Sequence, residues 1–282
     1  MEERWAPLLE GNQFVDEIVT VNRKSLSSII ELRRRLQESA WDFAVDFQGL
    51  IKSALLSSFA RPERLYGFAR AHLRESLAAM FYSHTLKPRE THVVDRNLEL
   101  ARLAGATAIA KAFPLPPGRP EGDLPAGDFV LASPFAGWAS KQWPLEHFAE
   151  LGHRLQVECG LPLVLNLAPS ESVLAHSPGK LATNIGGLSG LIYATRRATA
   201  IVGVDSGPLH LAAALAKPGV AIFGPTDPAR NGPYGATITV LRSPAAVTTY
   251  KRGPVIDLAM RAISVEQVLE SLKLRLACPA RS

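Results

Sequence analysis

AIVGVDSGPLHLAAALAKPGVAIFGPTDPARNGPYG, from Ala200 to Gly235, reads as one strand–helix–strand unit. Ala200–Val204 is an apolar, β-branched run of the length of a buried strand. Ser206 is a good N-cap residue, and Pro208 suits a first helical turn, where its missing N–H costs nothing. Leu209–Ala216 reads as the helix, closed by Lys217-Pro218-Gly219, and Gly219–Phe223 as the second strand. A Gly/Pro-rich loop, Gly224–Gly235, follows. A helix that starts at the carboxyl end of a strand presents free N–H groups and a partial positive charge, a natural seat for phosphate. The same pattern also describes an ordinary βαβ unit with a tidy cap.

Outward from this unit, Gly127–Ser133 is strand-like and leads through Pro134–Ser140 to Lys141-Gln142-Trp143-Pro144. A helix is expected from Leu145 to Val157. A lysine just before a helix start opposes the macrodipole unless an anion lies between them. The alternative is a solvated lysine stacked on Trp143. Further strands are expected at Leu163–Leu167, Ala200–Val204 and Gly219–Phe223 with helices between, the mark of a parallel sheet covered on both faces.

With 282 residues, 47% hydrophobic and 20% charged, the chain can bury a core for two α/β domains or one large one. The net charge of +5 suits anionic partners. Nucleic acid is disfavoured, because Arg33-Arg34-Arg35 is the only dense basic run and reads as a solvated helix face. Cys159 and Cys278 are too few for a disulfide framework, which points to a reducing compartment. No signal peptide or membrane span is read.

Met1–Glu10 looks like the tail of a helix, Glu17–Val21 like a short strand, and Ser25–Ser39 like an amphipathic helix with Leu26, Ile29, Ile30, Leu32 and Leu36 on one side. Phe43–Phe47 reads as a strand, Leu50–Phe59 as a helix and Leu65–Phe68 as a strand. Helices follow over Arg74–Tyr82 and Thr91–Leu103. Pro114–Pro125 contains five prolines and reads as a linker. The expected layout is therefore a domain over 1–113, a linker over 114–126 and a second domain over 127–282.

Lys141-Gln142-Trp143-Pro144, Asp205-Ser206-Gly207-Pro208-Leu209-His210 and Phe223-Gly224-Pro225-Thr226-Asp227-Pro228 resemble the donor-domain signatures of the lipopolysaccharide heptosyltransferases, family 9 glycosyltransferases. Val45-Asp46-Phe47-Gln48-Gly49-Leu50-Ile51-Lys52-Ser53 is similar to the acceptor-domain motif of the heptosyltransferase I branch. The resemblance covers nearly the whole chain, in order. It implies an α/β, GT-B-like fold with two Rossmann-like parallel-sheet domains facing across a cleft. The first domain acts on the acceptor and the second on the ADP-sugar donor.

Such an enzyme must hold a diphosphate leaving group, and without a metal or other cofactor a lysine and backbone N–H groups supply that electrostatic work. Lys141, Ser206 and Gly207 fit this role, Gly207 by permitting close backbone approach. By resemblance, His210 lies near the diphosphate; the other reading is a histidine packed under its helix. Asp205 would be repelled by phosphate, so it orients sugar hydroxyls or holds the loop. Glu171 stands where the family places a carboxylate that accepts from the ribose. Hydroxyl side chains common a few residues before the family's lysine are replaced here by Ala136-Gly137. On the acceptor side the resemblance picks out Lys52, Arg74 and Arg96, cations suited to the carboxylate and phosphates of a Kdo–lipid A acceptor.

The implied reaction is transfer of heptose from ADP-L-glycero-β-D-manno-heptose to Kdo of the lipopolysaccharide inner core, by metal-independent inverting displacement. The implied place is the cytoplasm, peripheral at the inner face of the inner membrane. The alternatives are a catalytically silent nucleotide-sugar-binding protein and a heptosyltransferase II-type sister enzyme. Family members open with a strand, a Gly-Asp loop and a helix, the aspartate serving as base. Met1-Glu2-Glu3-Arg4-Trp5 resembles the segment after that unit, so the first domain is expected to be incomplete and the catalytic base absent from this chain.

Overall fold

The computed structural model describes residues 1–108, 110–171 and 181–276, so Cys278 lies outside the described residues. The chain divides into two compact units: Met1–Ala6 with Gln13–Ala112, and Pro7–Asn12 with Phe113–Ser282.

Unit 1 is built on a three-stranded parallel sheet in the order β1 (Phe43–Val45), β2 (Arg64–Phe68), β3 (His84–Leu86). Its helices are α1 (Leu26–Leu36), α2 (Ile51–Ser58) and α3 (Val93–Leu103). Successive residues of β2 face opposite sides. Leu65 packs with Ala54, Ala78 and Tyr82 on one side, and Tyr66 and Phe68 pack with Leu100 on the other. The turn after β1 is tied by buried Asp46, whose carboxylate accepts from the N–H groups of Gln48 and Gly49 and the hydroxyls of Ser53 and Tyr82. Burial and the adjacent carboxylate push the Tyr82 hydroxyl far above its ordinary pKa.

Several expectations for unit 1 are corrected. Glu17–Val21 forms no strand: Val21 N donates to Met1 O and the Met1 amino group to Val19 O, so this stretch lies against one residue rather than a ladder. Arg74–Tyr82 contains a 3₁₀ helix, Ser76–Phe81, instead of an α-helix, and Met1–Glu10 a 3₁₀ helix over Glu3–Leu8. In α1 Leu32 is buried and Ile29 and Leu36 are half-buried, while Leu26 and Ile30 are 73% and 60% exposed, so two residues of the anticipated stripe find no cover. Its arginines do form a solvated face, with Arg34 paired to Glu31 and Glu38 and Arg35 to Glu17.

Unit 2 carries a six-stranded, wholly parallel sheet: β4 (Val130–Ser133), β5 (Leu163–Leu167), β6 (Ala182–Ile185), β7 (Ala200–Val204), β8 (Gly219–Phe223) and β9 (Ile238–Arg242). The spatial order is β6-β5-β4-β7-β8-β9. The chain thus builds outward from β4 in one direction and then outward from β7 in the other. Ligands of such sheets bind beyond the carboxyl ends of the strands at this switch point, here β4 and β7. The strands β5, β7 and β8 are buried along their whole length, which explains the unbroken apolar sequences of β7 and β8; in β5 the one polar residue, Asn166, accepts from Asn184 of β6.

The helices are α4 (Leu145–Cys159), α5 (Leu188–Arg197), α6 (Gly207–Ala214), α7 (Pro228–Asn231), α8 (Leu258–Arg261) and α9 (Val265–Leu276). One face of the sheet packs Val130, Val202 and Ile222 with Phe148, Leu151, Val268 and Leu272, from α4 and α9. The other packs Leu131, Ile201 and Ala221 with Ala194, Leu209 and Ala212, from α5 and α6. The left-handed residue Gly160 ends α4, with Leu161 N reaching back to Leu155 O.

The proline-rich segment has no regular structure and is bound along α5. The Arg196 guanidinium donates to the carbonyls of Leu115 and Pro116, and Arg197 to those of Pro125 and Ala126. Glu121 accepts from Gly187 N at 2.6 Å, capping α5.

Candidate functional site

The loops leaving β4, β7 and β8 converge on one carboxylate. Asp205 follows β7 directly and is 7% exposed. Its Oδ2 accepts from Lys141 Nζ at 3.0 Å and from Thr226 Oγ1 at 2.7 Å, while Oδ1 faces His210 Nε2 at 3.5 Å. Lys141 ends the 3₁₀ turn Ala139–Lys141 after β4, and Thr226 lies in the loop after β8. Burial disfavours the charged form of Asp205. The His210 imidazole, the Lys141 ammonium and the Thr226 hydroxyl outweigh it and lower the carboxyl pKa to about 2. Asp205 is therefore a fixed anion that ties two neighbouring loops to the start of α6.

The other predicted donor-side residues take distinct places. Lys141 does not stack on Trp143, which is buried with its indole N–H donating to Ile263 O. It lies instead against Trp138, Nζ 4.9 Å from the ring centroid. His210 is not packed under its helix; its side chain is 43% exposed and turned to Asp205. Ser206 occupies the N-cap position of α6 with extended backbone, but its hydroxyl caps no helical N–H. Its Oγ is buried without a hydrogen-bond partner among the described residues. Pro208 in the first turn removes one N–H that a cap would normally reach. A Cβ built on Gly207 meets no atom within 4 Å, so the helix start is open.

Glu171 lies beyond β5, where its carboxylate accepts from Ala168 N at 2.8 Å. The acceptor-side candidates all lie in unit 1, on segments joined by two contacts. Glu75 caps α2 by accepting from Ile51 N, which places Arg74 and Lys52 beside that contact. Arg96 donates to His72 O and lies 5.1 Å from the Phe68 ring. Thr226 was part of a recognised motif but carried no assigned role, because its value depends on a carboxylate 21 residues away. Among the described residues no group of three His, Cys, Asp or Glu side chains is placed to hold a metal ion, and no helix is long and apolar enough to cross a membrane.

The chain is similar to known proteins along most of its length. A lipopolysaccharide heptosyltransferase 1 of Pseudomonas aeruginosa is 31% identical over 221 residues, 72% of this chain and 60% of that protein, so the match spans less than two thirds of the relative. A lipopolysaccharide heptosyltransferase 2 of Salmonella typhimurium is 29% identical over 309 residues, covering 96% of this chain and 87% of its own. The solved structure of E. coli heptosyltransferase WaaC with ADP superposes with a TM-score of 0.76 at 25% identity, over 97% of this chain and 88% of that one. The two Rossmann-like parallel-sheet units are thus of the GT-B-like class. Relatives of both the first and second heptosyltransferase types are found, so likeness does not single out one of them. Residues 29–253 match glycosyltransferase family 9 (heptosyltransferase), and the chain belongs to that family.

Proposed function

We propose that the protein transfers L-glycero-D-manno-heptose from ADP-heptose to Kdo of the lipopolysaccharide inner core, by inverting displacement without a metal, at the cytoplasmic face of the inner membrane. The observation that carries this reading is the convergence of Lys141, the open start of α6 and the Ser206 hydroxyl, buried without a partner among the described residues, at the switch point of the sheet. A helix start and a cation together suit a diphosphate, stabilising the negative charge that grows on ADP as it leaves. His210, exposed beside Asp205, is available to the donor, and Glu171 in the loop beyond β5 is assigned to the ribose. Lys52, Arg74 and Arg96 are assigned to the anionic acceptor, and unit 1 to acceptor binding.

Two measurements test the proposal. Calorimetry should detect ADP binding, and Lys141→Ala should weaken it by roughly 1.5–3 kcal/mol, the range for hydrogen bonds to charged groups. An assay with ADP-heptose and Kdo2–lipid A should detect transfer. Binding without transfer to Kdo or to a heptosylated core would make the protein a silent nucleotide-sugar binder. Transfer only to the heptosylated core would make it a sister enzyme of the second type.

A further inference from the structure

Because Lys141 and Asp205 form an ion pair, the pair presents little net charge to an approaching dianion. The loop after β9 carries two further cations, Lys251 and Arg252. That loop is pinned at both ends to the loops around the site. Thr249 N donates to Pro225 O at 2.7 Å beyond β8, and Asp257 N to Ser140 O at 3.4 Å beyond β4. Between these points Gly253 passes so near the Lys141 turn that a Cβ there would lie 3.0 Å from Ser140 Cβ. The segment 249–257 thus bridges the carboxyl ends of two strands, and it carries Arg252 to Trp138, the guanidinium 5.9 Å from the centroid of the ring that also meets Lys141.

Arg252 is exposed and has no carboxylate within ion-pair distance among the described residues. The nearby acids on these loops are spent on helix starts, Asp227 accepting from Ala229 N and Asp257 from Ala259 N. An aromatic face holds a guanidinium in place while leaving its N–H fork free for phosphate oxygens. Lys251, the adjacent residue, makes no such ring contact among the described residues and serves as an internal control of equal charge.

We propose that Arg252 is a second diphosphate-binding cation, held on Trp138 beside Lys141 and supplying the net positive charge of the donor site. This rests on the reading of that site as a diphosphate site. The test is calorimetry on the full chain with ADP and, separately, inorganic pyrophosphate. Arg252→Gln should bind both about tenfold more weakly, Arg252→Lys within about threefold of the wild type, and Lys251→Gln as the wild type does. The Arg252→Gln loss should shrink as salt is raised. If ADP binds and Arg252→Gln matches the wild type, or if Lys251→Gln falls equally, the inference is overturned while the site reading stands. Pyrophosphate bound through Arg252 with no binding of ADP overturns the nucleotide reading and keeps the inference. No binding of either probe overturns both.

Discussion

Lys141 Nζ lies 3.0 Å from Asp205 Oδ2, joining the chain that leaves β4 to the chain that leaves β7. The side chains are 15% and 10% exposed, so water screens the pair weakly. Removing one member of such a pair leaves a charge without its partner, at a cost of about 3 kcal/mol. Lys141→Met should therefore destabilise strongly in urea unfolding. The double variant Lys141→Met/Asp205→Asn should lose at least about 1 kcal/mol less than the sum of the single losses. Strict additivity would show that the two charges do not depend on each other.

The same carboxylate makes a pH prediction. Its pKa in the folded protein is about 2, below the ordinary 3.8. A lowered folded value stabilises the protein fully above the unfolded pKa, and that stability is lost as pH falls from about 4 through 2. The difference corresponds to about 2 kcal/mol. Urea midpoints at pH 5.5 and pH 2.5 should fall further for the wild type than for Asp205→Asn, which has no proton to take up at this position. Equal falls would refute the lowered pKa.

Thr226 is 2% exposed and donates to the oxygen that also binds Lys141. Thr226→Val keeps the shape and removes the donor, and should cost about 1.5–3 kcal/mol in stability. Thr226→Ser keeps the hydroxyl and should recover most of that loss. A serine variant as unstable as the valine one would mean that the methyl group, not the hydrogen bond, matters here.

In the proline-rich segment Gly118 has φ +76° and a built Cβ only 2.5 Å from Ser189 O and Tyr193 N. Gly118→Ala should cost at least about 2 kcal/mol, combining left-handed strain with overpacking. A fragment starting at Phe113 should be more stable than one starting at Gly127, since the latter lacks the carbonyls bound by Arg196 and Arg197. Equal melting temperatures would show that the segment is only a tether.

Ala216 closes α6 in a left-handed conformation, φ 53°, with Lys217 N reaching back to Ala212 O. An L-residue there is disfavoured by about 1–2 kcal/mol, whereas glycine adopts the conformation freely. Ala216→Gly should raise stability by up to about 1 kcal/mol, read as a higher urea midpoint. A lower midpoint would place the cost elsewhere.

What the amino-acid sequence determined by itself was local and repetitive. Leu163–Leu167, Ala200–Val204 and Gly219–Phe223 are legible as strands because they are buried on both faces, and a short, predominantly apolar run is the signature of that burial. The helix from Leu145 is legible from its spacing, and Lys141, Asp205 and His210 stand in recognisable motifs. Ile238–Arg242 and Val265–Leu276 were not read, although Val268, Leu269 and Leu272 of the latter fill the core. Glu17–Val21 reads as a strand but forms none, because extended propensity makes a strand only where another strand is there to pair with it. The strand order, the sharing of Asp205 by Lys141, Thr226 and His210, and the place of Arg252 on Trp138 were decided by tertiary structure alone. Each joins residues tens of positions apart, except His210 with its near neighbour Asp205. A carboxylate's partners depend on which strand ends the sheet brings together, and no local pattern encodes that distance.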